Sequence, residues 1–126
     1  MSYVKSFREL EVYKLAREVS KEIFILSKEF PIEERYSLTD QIRRSSRSVG
    51  AQIAEAWGKR KYERNFLSKL TDGDSEQLET QHWLEIAEES GYISISDSKI
   101  LLTKCESIGK MLQTMMDKSS LFCSKS

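Results

Sequence analysis

Residues 101–115 read LLTKCESIGKMLQTM. Within them Leu101, Cys105, Ile108, Leu112 and Met115 step by 4, 3, 4 and 3, the seam of a helix in a bundle or coiled coil. The rest of the chain agrees with a helical reading. It holds one Pro and five Gly in 126 residues, too few turn formers for a β-sandwich or barrel. Pro31, Gly58 and Gly91 divide the chain into four segments. Gly50 and Gly73 lie inside helical patterns, where each costs about 1 kcal/mol against Ala and permits close backbone approach.

The first helix is expected over 8–28. Leu10, Tyr13, Ala16, Val19, Ile23 and Leu26 form one face, and Val12, Leu15 and Phe24 widen it. Phe30-Pro31 ends it, because a residue before Pro avoids the α region. The second is expected over 38–58, started by Ser37 and Asp40 as a weak capping box. Its stripe is Leu38, Ile42, Val49, Ile53 and Trp57, interleaved with Ser45, Ser46, Ser48, Gly50, Ala51 and Ala54, which let a neighbouring helix come close. The third is expected over 61–90. Tyr62, Phe66 and Leu70 open it, and Leu84 and Ala87 close it. Its middle has only Leu78 as a large apolar residue, so Thr71 to His82 either faces solvent or joins a polar network. Gly91 suits the position after its last turn. The fourth, over 97–118, follows Ser96, and the tail 119–126 is expected to fray. Four amphipathic helices with short connections predict an all-α, antiparallel up-and-down four-helix bundle, one domain over 1–126.

Composition sets the outer limits. Twenty Lys and Arg balance twenty Asp and Glu, which excludes a uniformly basic nucleic-acid binder but not a locally basic one. No apolar run approaches the roughly 20 residues of a membrane helix, and the first ten residues lack a secretory h-region. Cys105 and Cys123 form no CxxC pair, which argues against a zinc site or a disulfide framework. The chain reads as a soluble cytoplasmic protein with no membrane partner.

The balanced charge is segregated. Residues 43–69 hold eight basic side chains (Arg43, Arg44, Arg47, Lys59, Arg60, Lys61, Arg64 and Lys69) against Glu55 and Glu63, a net +6. Residues 70–98 hold eight acids and no Lys or Arg, a net −8. Arg43 and Arg47 share a helix face, and Lys59 follows them by about 18 to 24 Å along the axis. One chain therefore offers two separated basic sites for phosphates. The competing reading is that the basic block pairs with the acidic third helix, within the chain or across a subunit boundary.

Catalytic and metal signals are weak. Glu79-x-x-His82 resembles half of a two-metal bundle motif, but the chain has one His, so the second half cannot exist. Cys105 lies on the apolar seam, and no Ser sits in a G-x-S-x-G context. No Gly-rich phosphate loop is present. No cofactor, no metal and no catalytic activity are expected. Trp57, Tyr62, Phe66 and Trp83 read as packing residues, with Tyr62 the best placed for an exposed role.

Three ordered blocks carry a resemblance. Phe7-Arg8-Glu9-Leu10-Glu11-Val12-Tyr13-Lys14-Leu15-Ala16 is similar to a pattern F-x-x-L-x-V-[WY]-x-x-A. Phe30 to Ser45 resembles F-P-x-E-E-R-[YF]-x-L-x-x-Q-[IL]-R-R-[AS]. Ser48 to Trp57 resembles S-[IV]-x-[AS]-N-I-A-E-G-x, with Gln52 in place of Asn and Ala56 in place of Gly. These blocks resemble the four-helix bundle proteins encoded in intervening sequences of bacterial 23S ribosomal RNA genes, which include the accessory variability determinant of diversity-generating retroelements. The resemblance implies a ring-shaped homopentamer, about 73 kDa for five copies of 14.6 kDa. It also implies nucleic-acid binding through basic residues, with a reverse transcriptase as partner in the retroelement branch. Gln41, Arg44, Glu55 and Glu79 fall on pattern positions and are expected to form an Arg–carboxylate network within or between subunits. That leaves Arg43, Arg47, Lys59, Arg60, Lys61 and Arg64 as the nucleic-acid candidates, for structured RNA or an RNA–DNA hybrid. The alternative is an oligomeric protein-interaction scaffold that uses the acidic block and binds no nucleic acid.

Overall fold

The computed structural model describes residues 4–123, all helical or irregular, with no strand among them. Four helices follow one another: α1 (Glu11–Ser27), α2 (Leu38–Gly58), α3 (Glu63–Glu89) and α4 (Ile95–Asp117). Tyr92, after α3, hydrogen-bonds Glu34, before α2, at 2.9 Å, which places those two connections at one end. Ser119, after α4, hydrogen-bonds Glu63, at the start of α3, at the other end. The four-helix bundle is therefore up-and-down.

Local chemistry sets the helix ends. The first helix begins later than its apolar pattern, because Ser6 and Glu9 form a capping box around a separate 3-10 turn, Phe7–Glu9. Leu10 is then extended and tucks into the core before α1 starts. Ser37 does not cap α2 through its side chain; its hydroxyl donates to Glu34 instead. Ser94, not Ser96, caps α4, accepting from the Asp97 amide at 3.0 Å. Gly91 has φ of +79°, and the Gly91 and Tyr92 amides return to the Glu88 and Ala87 carbonyls. This is a Schellman stop, which a residue with a Cβ would strain. The tail does not fray at Ser119: Ser119–Leu121 makes a 3-10 turn and Phe122 stacks on Phe66 at 5.9 Å. Residues 124–126 lie outside the described residues.

The core is built from seams with steps of three and four. On α4 it runs Ser98, Leu101, Cys105, Ile108, Leu112, Met115. On α3 it runs Phe66, Leu70, Gly73, Gln77, Thr80, Leu84, Ala87. The polar middle of α3 therefore faces inward, and Leu78 is turned out, 55% exposed. Each buried polar side chain there has a partner, as burial requires. Thr80 Oγ1 donates to Ser45 Oγ on α2 or to the Glu76 carbonyl, both at 2.9 Å. Gln77 Nε2 donates to Asp74 at 2.8 Å, and Gln77 Oε1 accepts from Gln81 at 2.7 Å. Gly109 of α4 makes room for this ladder: a Cβ there would stand 2.8 Å from Gln77 Nε2. Trp57 and Tyr62 contribute less to the core than their pattern suggested, half-buried and 58% exposed respectively.

Thr80→Val keeps the shape and removes the hydroxyl. It should lower unfolding free energy by about 1 kcal/mol, read by chemical denaturation. An unchanged midpoint would mean that the Thr80–Ser45 bond adds nothing to the α2–α3 contact.

Candidate nucleic-acid interface

The connection before α2 is held by one carboxylate. Glu34 accepts from Ser37 Oγ at 2.6 Å, from Tyr92 Oη at 2.9 Å and, more weakly, from the Leu38 amide at 3.4 Å. The Ser37 bond first, then the Tyr92 bond, hold its carboxyl below the ordinary range. The Tyr92 phenol is pushed up, chiefly because it donates to that carboxylate. This clasp ties the α1–α2 connection to the α3–α4 connection. It thereby positions Arg35 and Tyr36 at the entry to α2.

One turn into α2 the arginines begin. Arg43, Arg44 and Arg47 join Arg35, Thr39 and Asp40 around an open basin of about 470 Å³. Arg43 reaches back to α1: its Nε donates to Ser27 Oγ at 2.7 Å and its guanidinium lies 4.7 Å from the centre of the Phe24 ring. Arg47 lies 5.2 Å from the same ring and Lys28 Nζ 4.9 Å from it. Three cations thus surround one aromatic ring, each held by about 0.5–1 kcal/mol at exposed positions. Asp40 is the one carboxylate in the basin lining, and its 3.6 Å contact with Arg44 is solvent-exposed and weak. Neighbouring like charges repel, so an anion entering this basin would be bound favourably.

Four further candidates lie at the opposite end of α2. Arg60 stacks over Trp57, 3.6 Å from the ring centre, and its Nε donates to the Trp57 carbonyl at 2.8 Å. Part of its donor set is therefore used inside the chain. Lys59, Lys61 and Arg64 are exposed and make no salt bridge with a described residue. The structure thus brings Arg43, Arg44 and Arg47 together and leaves Lys59, Arg60, Lys61 and Arg64 as a separate corner.

The expected network of Gln41, Arg44, Glu55 and Glu79 does not form within one chain. Arg44 pairs with Asp40, Glu55 with Lys69 at 3.6 Å, and Glu79 accepts from the Trp83 indole at 3.0 Å. Within the chain Arg44 lines the basin. Pairing of the basic block with acidic α3 inside the chain is likewise not what the fold does. None of the eight acids in 70–98 makes a salt bridge among the described residues. The inward positions at the middle of α3 are held by Gln77 and Thr80, not by carboxylates.

His82 is exposed and packs edge-on to Trp83 at 4.7 Å, away from any cluster of metal-ligating side chains among the described residues. Cys105 is buried, and desolvation pushes its thiol up to about 12, so little thiolate exists at neutral pH. Arg35, Phe24, Ser27, Lys28 and Glu34 are site residues that the sequence reading did not single out. Phe24 and Lys28 stand four apart on the first helix, an aromatic–cation spacing that offered a signal.

The fold defines the class, an all-α four-helix bundle with an arginine-lined surface. The chain belongs to the 23S rRNA-intervening sequence protein family, whose model matches residues 8–114. Among solved structures it is similar to a protein of unknown function from the S23 ribosomal protein family of Bacteroides thetaiotaomicron. The two share 28% identity and a TM-score of 0.76, over 84% of this chain and 95% of that one. No curated protein matches the chain.

The Glu34–Tyr92 clasp has a spectroscopic signature. In an ultraviolet titration one tyrosine should ionise above the ordinary phenol range. That component should vanish in Tyr92→Phe and move down in Glu34→Ala. On the acid side, Glu34 has a depressed folded pKa. Its contribution to stability is therefore complete above the unfolded carboxyl value and is lost as pH falls through the folded one.

Proposed function

We propose that this protein is a non-enzymatic nucleic-acid-binding protein whose arginine basin takes phosphates of structured RNA or of an RNA–DNA hybrid. The observation that carries this reading is the uncompensated charge. Four guanidiniums line one concave surface with a single exposed carboxylate among them. Arg43 is anchored through Nε, which leaves its two terminal amino groups as positioned donors for a phosphate. The corner of Lys59, Arg60, Lys61 and Arg64 adds a second contact at the far end of α2. The family's link to ribosomal RNA genes agrees in kind with an RNA ligand.

Affinity in this reading is electrostatic. With a labelled RNA hairpin, log affinity should fall linearly with log salt. The double variant Arg43→Glu, Arg47→Glu should bind more weakly at every salt and show a slope smaller by about 2, one unit per phosphate contact removed. Salt-independent binding, or a variant that binds like the native protein, would overturn the assignment.

Self-association as a ring homopentamer is part of the proposal. Support comes from apolar side chains left uncovered where α1 ends and α4 begins. Ile25, Ile95 and Ile100 are 54%, 74% and 51% exposed, beside a groove of about 270 Å³ that Ile25 and Ile100 line with Leu26 and Leu101. Sedimentation at micromolar concentration should give a mass near 73 kDa, five times 14.6 kDa. A 14.6 kDa species would end the pentamer reading.

A second reading rests on the acidic side. The eight acids of 70–98, none of which makes a salt bridge among the described residues, offer a field for a basic protein, for example a reverse transcriptase, and the bundle would then act as a scaffold. Retained partner binding by the basin double variant would favour it.

A further inference from the structure

We propose that the basin takes an unpaired nucleotide, with its base stacked on Tyr36 and its phosphates among the arginines; this rests on the nucleic-acid reading above and names the strand it prefers. Tyr36 is 85% exposed, the most exposed of the large apolar and aromatic side chains among the described residues. It is nonetheless well placed, since it follows Glu34 and Arg35 in the connection that the Ser37 and Tyr92 bonds hold. The Arg35 guanidinium lies 5.8 Å from the centre of its ring, and Arg35 also lines the basin. An aromatic plane and a cluster of phosphate donors therefore meet at one residue.

The two parts suit different parts of one ligand. Every base has a π-face, so stacking on a tyrosine tolerates sequence, while the arginines take the charge. A duplex presents its phosphates but keeps its base faces inside the stack. Tyr36 has nothing to stack on in that case. An unpaired strand, a loop or a strand end offers both parts at once. Phe24, the aromatic ring that Arg43, Arg47 and Lys28 surround, is half-buried and does not compete for the base. A side chain as exposed as Tyr36 contributes little to the core, so its removal is readable without loss of the fold.

The test uses fluorescence anisotropy on the full chain, with an unstructured 12-nucleotide RNA and the same strand annealed to its complement. Tyr36→Ala should weaken binding to the single strand by about tenfold. It should leave binding to the duplex within about twofold, and Tyr36→Phe should behave as native on both, because the ring rather than the hydroxyl stacks. A melting curve confirms that each variant is folded. Equal loss on both ligands, or no loss on the single strand, overturns the stacking assignment. Loss of both ligands in the Arg43→Glu, Arg47→Glu variant, with no effect of Tyr36→Ala, keeps the phosphate reading and removes this one. Absence of binding by the native protein to either ligand at low salt removes both.

Discussion

The structure depends on the need to partner every polar group that α3 carries into the core. α3 packs against both α2 and α4, yet two of its central inward positions are Gln77, 3% exposed, and Thr80, fully buried. An unpaired amide or hydroxyl at such a place would cost about 1–3 kcal/mol. Asp74 and Gln81 serve Gln77, while Ser45 and the Glu76 carbonyl serve Thr80. Gly109 lets α4 close over the Gln77 amide, where a methyl group would collide with it. These contacts agree with the rotation of α3 that leaves Leu78 turned out.

The same contacts orient α2. Ser45 is the α2 partner of Thr80, so the face of α2 that holds Ser45, Val49 and Ile53 turns into the bundle. Arg43 and Arg47 then lie on the side next to α1, where Phe24 and Ser27 meet them. The buried stripe of Leu38, Ile42, Val49 and Ile53 turns the same face of α2 inward, and the Ser45–Thr80 bond agrees with it.

One consequence is a molecule with two charge fields that do not cancel locally. The net charge is zero, but the arginines of the basin and the carboxylates of 70–98 are not joined by salt bridges among the described residues. Apart from the exposed Arg44–Asp40 contact in the basin, the ion pairs that form join neighbours or adjacent helices elsewhere. Lys104 of α4, for example, bridges Glu18 and Glu22 of α1. Separated fields of this kind act on charged partners at a range set by the Debye length, about 8 Å at physiological salt. Binding steered by them is therefore sensitive to ionic strength.

Much of the fold is legible in the sequence. The scarcity of Gly and Pro and the seam from Leu101 to Met115 lead to four helices, because helix periodicity is a local property of the chain. Even the inward turn of α3 was written there: the steps from Phe66 and Leu70 to Leu84 and Ala87 pass through Gly73, Gln77 and Thr80. It was obscured because hydropathy ranks Leu78 above Gln77, while position on the seam ranks Gln77 first. The charge blocks and the candidate arginines were also readable as sequence. Only the tertiary structure decided which of them act together. Phe24, Ser27 and Lys28 reach Arg43 and Arg47 across two helices, and Arg35 enters the basin because Tyr92, 58 residues from Glu34, holds the connection it sits on. Spacing along a chain determines which side chains share a face of one helix; which faces meet is set by the packing of several helices at once.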